Sequence, residues 1–377
     1  MQFGTSRFLQ AHVDLFVHEA REAGQAVGPI TVVQASGSAA HAGRVAAFGR
    51  PEGFPVVIRG IEDGRPAERT VMVTSVARGL SAARDWEEVA KEFATRTEAV
   101  VSNMGDMGYI VAAADRRYDL LDASSAAPTS FPAMLLALLW RRWRAGGAPL
   151  VVLPCELISR NGRVLHDTVL ALARDVSAEA AFTRWLDEGV VWADTLVDRI
   201  VSQAIEPIGA VAEPYALWAI ERRPGLESPC QHSAIVMVND LEPFERLKIH
   251  VLNLGHTVLA DLWLNEGGRP GETVRGMLAD AGVRERLDGV YRREVLPGFA
   301  ARGLEREAAA YVATTMDRFL NPFLDHLVAD IAQNHAAKVE RRVAAFLSWR
   351  AEAGPVPPAP GLEAIVDNNR GKSEGGP

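Results

Sequence analysis

Several things are scarce in this chain of 377 residues, and each scarcity excludes a class of function. There are two cysteines, Cys155 and Cys230, too few and too far apart for a metal cage or a disulfide framework. A reducing, cytoplasmic setting is the simple expectation. Positive charge is not in excess: 40 Lys+Arg against 48 Asp+Glu leave a net −8, with no run of like charge and no basic arm. Nucleic-acid binding needs concentrated basic surface, so none is expected. No apolar run reaches the roughly 18 residues of a membrane helix, so no membrane partner is expected. The opening "MQFGTSRFLQ" lacks the apolar stretch of a signal peptide. The nine histidines show neither H-x-x-x-H nor H-x-H spacing, so the expected metal is none. Lysine occurs four times, as Lys91, Lys248, Lys338 and Lys372, which leaves 36 arginines of the 40. A Lys placed in an apolar helix of such a chain stands out, because Lys can give up its proton and Arg cannot.

What is present is ordinary globular composition, 48% hydrophobic and 23% charged, at a length that favours two domains. The first part alternates short β-like runs with helical patterns, the signature of a parallel α/β sheet. "MQF" turns at Gly4 into a helical stretch that stops at Gly24; "PITVVQAS" is a buried strand, followed by a helix from Ala39 to Phe48. Residues 54–80 alternate about Glu62-Asp63-Gly64 and read as an antiparallel hairpin. The strands "EAVVSN" and "PLVVLPC" flank the helix "FPAMLLALLWRRWRA", and β-like runs follow at 196–202, 215–221 and 233–240. From Glu242 to about Trp349 only helical periodicity remains. The expected domains are 1–240, α/β and nucleotide-type, and 241–352, all-helical. A Pro/Gly-rich tail over 353–377 is expected to fray. A ligand is expected between the domains, at the carboxyl ends of the strands.

Four stretches carry chemistry. In "MQFGTSRFLQAH" a strand, a glycine turn and a helix start would let Gly4–Arg7 wrap a pyrophosphate, since glycine admits close approach and the helix offers free N–H groups. G-x-G-x-x-G is absent, and an ordinary βα turn reads equally well. The second strand ends in Gln34, Ala35 or Ser36, without the acid that marks NAD, so NAD and NADP both stay open, with Arg44 nearby for a 2′-phosphate. In "AVVSNMGDMGY" Ser102 and Asn103 end an apolar strand where a nicotinamide ribose would lie; the same residues are good turn chemistry.

The fourth stretch is "FERLKIHVLNLGHTV". At 100° per residue Glu245, Lys248, Asn253 and His256 share a sector about 140° wide, with His250 outside it. Gly255 beside them would leave room for a flat ring. A surface stripe with a Glu–Lys i,i+3 pair, or a satisfied core histidine, is the alternative. The set suits carbonyl reduction: a partly desolvated Lys exchanges a proton with a hydroxyl, and Asn and His donate to the developing alkoxide.

The spacing Lys248-x-x-x-x-Asn253-x-x-His256 resembles that of the mannitol dehydrogenase family of polyol-specific long-chain dehydrogenases/reductases. Further stretches match in order: "FGTSRFLQAHVD", "VSNMGDMGY", "LPCELISRNG", "TLVDRIV", "EPYALWAIE" and "RFLNPFLDH", the last ones most like tagaturonate and fructuronate reductases. The resemblance implies a Rossmann-like N-terminal domain, mostly parallel sheet plus an antiparallel hairpin, before an all-α C-terminal domain. It implies Lys248 as general acid/base, Asn253 and His256 holding the reacting oxygen, and Glu245 tuning proton exchange. Arg318 would bind substrate oxygens, a hexuronate carboxylate suiting its fork, with Asn321 and His326 beside it. The cofactor would meet Gly4, Thr5, Ser6, Arg7, Phe8, Gln34, Ser102, Asn103 and Met104. Two departures bear on substrate and cofactor. Leu157 stands where polyol dehydrogenases have a substrate-contacting Asn, which disfavours mannitol, and Met104-Gly105-Asp106 replaces Thr-Thr-Glu. The few residues before Gly4 give the expectation of a trimmed or misassigned start.

The expectation is thus an NAD(P)-dependent oxidoreductase of a sugar acid, altronate/tagaturonate or mannonate/fructuronate in type, as monomer or small homo-oligomer. A polyol or polyol-phosphate dehydrogenase, a decarboxylating hydroxyacid dehydrogenase and a non-catalytic nucleotide-binding protein are the rivals.

Overall fold

The computed structural model describes residues 1–36, 42–62, 64–105, 107–117, 119–122 and 126–370. The expected helix start at Ala39, the Asp63 turn residue, Asp106 and the last seven residues fall outside them. The chain separates into two compact units: Met1–Ile58 with Arg69–Leu241, and Arg59–Glu68 with Glu242–Pro377.

Thirteen strands are found among the described residues: β1 Gln2–Phe3, β2 Ile30–Gln34, β3 Phe54–Glu62, β4 Arg65–Val73, β5 Val76–Ser81, β6 Ala99–Ser102, β7 Leu150–Pro154, β8 Val190–Trp192, β9 Thr195–Asp198, β10 Val201–Ala204, β11 Ala210–Ala212, β12 Leu217–Glu221 and β13 Ile235–Val238. Six form a sheet in the order β5-β2-β1-β6-β7-β8, and every pairing in it is parallel. Counted along the chain this is 3-2-1-4-5-6, the doubly wound order, with its switch point between β1 and β6. Both faces are covered, which is why β2 reads as a continuous apolar run and is buried at all five positions. On one face lie Val89, Phe93, Leu135, Leu138, Leu165 and Leu172 from three helices. On the other lie Leu9, Phe16, Val56, Ile58, Trp218 and Ile220.

The stretch 54–80 is not one hairpin. β3 and β4 are neighbours in a four-stranded sheet with β10 and β11, whereas β5 joins the main sheet beside β2. Thr74 and Ser75 separate two strands that alternation alone ran together. The run at 196–202 likewise splits into β9 and β10, which lie in different sheets.

Apart from Arg59–Glu68, which carries the ends of β3 and β4, the second unit is helical. Its first helix runs over residues 242–265, and its middle, Lys248–Asn253, is a π-turn. The helices over 281–300 and 335–351 carry π-turns too, at Tyr291–Val295 and Glu340–Ala344. Val251, Leu254, Leu259, Tyr291, Val295, Phe299, Val343 and Phe346 make a core with no solvent exposure. Each such side chain contributes about 1.5–3 kcal/mol relative to leaving it in water.

The tail departs from expectation. Pro360–Asn369 is a helix, with Leu362, Ile365 and Val366 buried in the core of the helical unit. Glu294 accepts from Gly361 N at 3.1 Å and Leu362 N at 2.8 Å, satisfying the first-turn donors of that helix. Asn369 Nδ2 donates to Asp261 Oδ1 at 2.8 Å. The Pro/Gly richness of 354–361 marks a connection, and the apolar spacing 362, 365, 366 marks the helix after it. No helix among the described residues is long and apolar enough to cross a membrane.

Candidate active site

In the helical unit the site is built on the π-turn. Leu254 N–H donates back to Ile249 C=O, five residues away. A π-turn winds less per residue than an α-helix, so it draws Lys248 and Asn253, five apart, closer in azimuth than a straight helix would. Glu245, Lys248 and Asn253 are half-buried, and Ile249 between them is exposed, so this face of an otherwise apolar helix opens outward. The opposite flank is core: His250 is fully buried, its Nδ1 on the Arg342 carbonyl at 3.1 Å and its ring beside Phe346 and Trp349. Because a carbonyl only accepts, that bond makes Nδ1 the protonated nitrogen of His250. Burial brings its pKa down to about 4. It is a structural residue, as its position outside the polar sector implied.

His256 lies one turn beyond Asn253. Its ring packs on Phe319 with centroids 4.4 Å apart, and His326 meets it edge-on at 4.8 Å. Among the described residues neither ring nitrogen of His256 has a hydrogen-bond partner, and the Asn253 side-chain amide has none. Burial, then the neighbouring His326 and Arg318, hold the His256 pKa well below the usual imidazole range. Burial lowers that of His326 as well. The pair is therefore neutral, and a neutral imidazole N–H can still donate to a substrate oxygen.

The other expected substrate residues are placed differently. Arg318 is 4% exposed, and its Nη1 donates to the Tyr311 hydroxyl at 3.3 Å. Asn321 spends its side chain locally, Nδ2 on the Arg59 carbonyl at 3.4 Å and Oδ1 accepting from Phe323 N at 2.9 Å. It shapes the turn after the helix Glu305–Phe319 and does not point its amide outward. Gly255 leaves no empty slot: a β-carbon there would overlap the Tyr291 hydroxyl and crowd Phe319.

In the α/β unit most of the residues expected to meet a cofactor gather at the switch point, while Gln34 ends β2. Gly4 has φ +110°, and a β-carbon on it would stand 2.7 Å from the Asn103 carbonyl oxygen. The turn after β1 thus presses against the end of β6, a close approach that requires glycine. Ser6 caps the helix over 7–22, its Oγ accepting from Leu9 N at 3.3 Å and donating to Asn103 Oδ1 at 3.2 Å. A positive helix end beside a glycine turn at the switch point fits a dinucleotide pyrophosphate. Thr5, Arg7 and Phe8 belong to the same turn and first helical residues. Gln34 is turned in on Ser36, Nε2 to its carbonyl at 2.7 Å. Arg44, a candidate for a 2′-phosphate, pairs with Glu206 at 3.2 Å.

Sequence reasoning missed the hub of this corner. Glu156, 3% exposed, accepts from Ser102 Oγ at 3.0 Å, Met104 N at 3.0 Å and Tyr109 Oη at 2.9 Å. Asn103 Nδ2 bonds the adjoining Cys155 carbonyl at 2.8 Å. Burial pushes the Glu156 carboxyl up. A single acid directly after the apolar run "LVVLPC" was the available signal. Among the described residues no three His, Cys, Asp or Glu side chains converge as a metal site.

Models of known families match most of the chain. Residues 1–229 match the mannitol dehydrogenase Rossmann domain and residues 240–359 the mannitol dehydrogenase C-terminal domain. The altronate oxidoreductase of Halalkalibacterium halodurans is 30% identical over 403 aligned residues, covering 100% of this chain and 76% of the relative. That of Bacillus subtilis is 29% identical, covering 91% and 73%. Among solved structures, a substrate-free D-sorbitol dehydrogenase superposes with TM-score 0.78 at 21% identity, over 93% of this chain and 79% of that one. The mannitol 2-dehydrogenase of Pseudomonas fluorescens, in a ternary complex with NAD and D-mannitol, gives 0.71 at 19%, over 99% and 84%. These two likenesses are in fold. With both domains matched across most of its length, this chain belongs to the mannitol dehydrogenase family.

Proposed function

We propose that the protein is an NAD-dependent oxidoreductase that interconverts a secondary alcohol and a ketone on a sugar acid, of the altronate/tagaturonate kind. The observation that carries this reading is the open face of the π-turn. A half-buried Lys248 and a half-buried Asn253 lie on it, and neither the Asn253 amide nor the buried His256 ring one turn on has a partner among the described residues. Unspent donors beside an amine are what an alkoxide-forming reaction needs. The altronate oxidoreductase relatives direct the choice of substrate towards an acid.

In the oxidative direction the Lys248 amine takes the hydroxyl proton as the C–H electron pair leaves the carbinol carbon. Bound NAD supplies the hydride acceptor. Asn253 Nδ2–H and the neutral His256 N–H hold the oxygen through its passage to a carbonyl. Glu245, one turn before Lys248, passes the proton on to solvent. Reduction runs these steps backwards. Gly4, Thr5, Ser6, Arg7 and Phe8 would hold the pyrophosphate, and Ser102, Asn103 and Met104 the nicotinamide ribose. Two cysteines that form no disulfide suit a cytoplasmic setting.

The test is absorbance of NADH with a panel of aldonates, uronates, hexitols and hexitol phosphates. Turnover of an aldonate/uronate pair with NAD supports the proposal. Turnover of hexitols alone returns the polyol reading.

A further inference from the structure

The helix over residues 335–351 brings a guanidinium to the same turn that carries Asn253 and His256. Arg342 Nη1 donates to the Asn253 carbonyl at 3.3 Å and to the Thr257 hydroxyl at 3.2 Å. The Thr257 hydroxyl donates to that carbonyl too, at 2.9 Å. The Arg342 carbonyl in turn accepts from His250 Nδ1 at 3.1 Å. Two π-turns, Lys248–Asn253 and Glu340–Ala344, are thus clasped by a reciprocal pair of bonds.

This fixes the guanidinium by one corner and leaves an edge. Nε and Nη2 of Arg342 make no hydrogen bond among the described residues, and Arg342 has no ion pair there. Neither atom is among the sealed, unpartnered ones, so solvent reaches that edge. Lys338, one turn earlier on the helix, donates to the Ile331 carbonyl at 2.7 Å and has no carboxylate partner among the described residues. Burial, then the crowding of Arg342 and Arg341, lowers the Lys338 pKa, and burial lowers that of Arg342. Positive charge that is partly desolvated and left unpaired is costly, and an anionic ligand removes the cost. The Nε–Nη2 edge is the one that meets a carboxylate with two parallel bonds. Arg318, the arginine expected to do this from sequence, is nearly closed off and already donates to Tyr311.

We propose that Arg342 determines specificity, its Nε–Nη2 edge receiving the anionic end of the sugar while Asn253 and His256 hold the reacting oxygen. The inference rests on the sugar-acid reading above. It adds that the acid group is recognised from the helix over 335–351, on the flank of the turn that holds the oxygen.

The experiment compares kcat/KM for an aldonate, a hexitol and a hexitol phosphate in wild type, Arg342→Met and Arg342→Lys. NADH binding and thermal unfolding serve as checks that each variant is folded. Because Arg342 also steadies the Asn253 carbonyl, both variants lose some rate on every substrate, so the quantity read is the ratio of aldonate to hexitol. Loss of a charge-assisted bidentate contact should lower that ratio about 10- to 100-fold in Arg342→Met. Arg342→Lys, which keeps the charge and loses the fork, should lower it less. If Arg342→Met does not fold, the Lys variant carries the test. An unchanged ratio in the folded variants overturns the proposal while the sugar-acid reading stands. Wild-type turnover of hexitols alone overturns both. Preference for the phosphate, lost in Arg342→Met, supports the anion anchor and replaces the carboxylate by a phosphate.

Discussion

The Tyr291 hydroxyl occupies the place where a β-carbon on residue 255 would be, and from there it donates to the Val251 carbonyl at 3.0 Å. Gly255 is thus what lets a neighbouring helix bond into the backbone of the π-turn. Gly255→Ala should force Tyr291 aside, combining overpacking with a lost buried hydrogen bond, at a cost of about 1–4 kcal/mol. Thermal unfolding reads this directly. Tyr291→Phe, which keeps the ring, should lose only about 1 kcal/mol. A Gly255→Ala protein as stable as wild type contradicts the packing described.

Asn253→Ala and His256→Ala should each lower kcat by about 10²-fold or more, with NADH affinity retained, if their donors act on the developing alkoxide. The pH profile adds a sharper check on His256. Burial and nearby positive groups disfavour its imidazolium, so it stays neutral as pH falls through the ordinary histidine range. Any loss of kcat from protonating it should therefore set in well below pH 6.5. A limb near 6.5 in wild type that disappears in His256→Gln contradicts this.

Asp14 makes stability depend on pH in the α/β unit. It is fully buried beside Gln2, and burial raises its pKa from 3.8 to about 8. Between those values the folded chain holds a proton that the unfolded chain has lost. Stability from this group is therefore present at low pH and falls as pH rises from about 4 to about 8. Asp14→Asn removes the titration, so the variant should gain in melting temperature relative to wild type as pH goes from 6 to 9. A constant difference across that range contradicts the assignment.

The helix Pro360–Asn369 lies beyond the matched family domains and yet belongs to the core of the helical unit. Ending the chain after Ala359 removes Leu362, Ile365 and Val366 from that core and strips Glu294 of both its amide donors. At 1.5–3 kcal/mol per side chain the loss is roughly 5–9 kcal/mol, an upper bound because the unfolded chain is itself partly compact. Denaturant unfolding of the shortened chain measures it. A midpoint equal to that of the full chain contradicts the docking.

The sequence made the parallel sheet legible because β2, β6 and β7 are buried on both faces and so read as apolar runs. The helix proposed to carry the site stands out in sequence because lysine is rare in this chain and the polar residues around Lys248 share one sector. Two kinds of information were not. The π-turn leaves no mark in a 100° projection, since helical periodicity does not distinguish a bond to the fourth residue from one to the fifth. Contacts between distant stretches were also hidden: Glu156 with Tyr109 and Arg342 with Asn253. So was the burial of Arg318, whose partner Tyr311 lies two turns earlier on the same helix. Tertiary context decides these, and nothing in the local pattern of "RFLNPFLDH" shows whether an arginine faces a substrate or a tyrosine.

If Lys248 moves the proton, kcat of Lys248→Ala on an aldonate with NAD should fall by about 10²–10⁴-fold, the range of general acid–base catalysis, in a protein that still folds and binds NADH. Turnover of Lys248→Ala at the wild-type rate would contradict it.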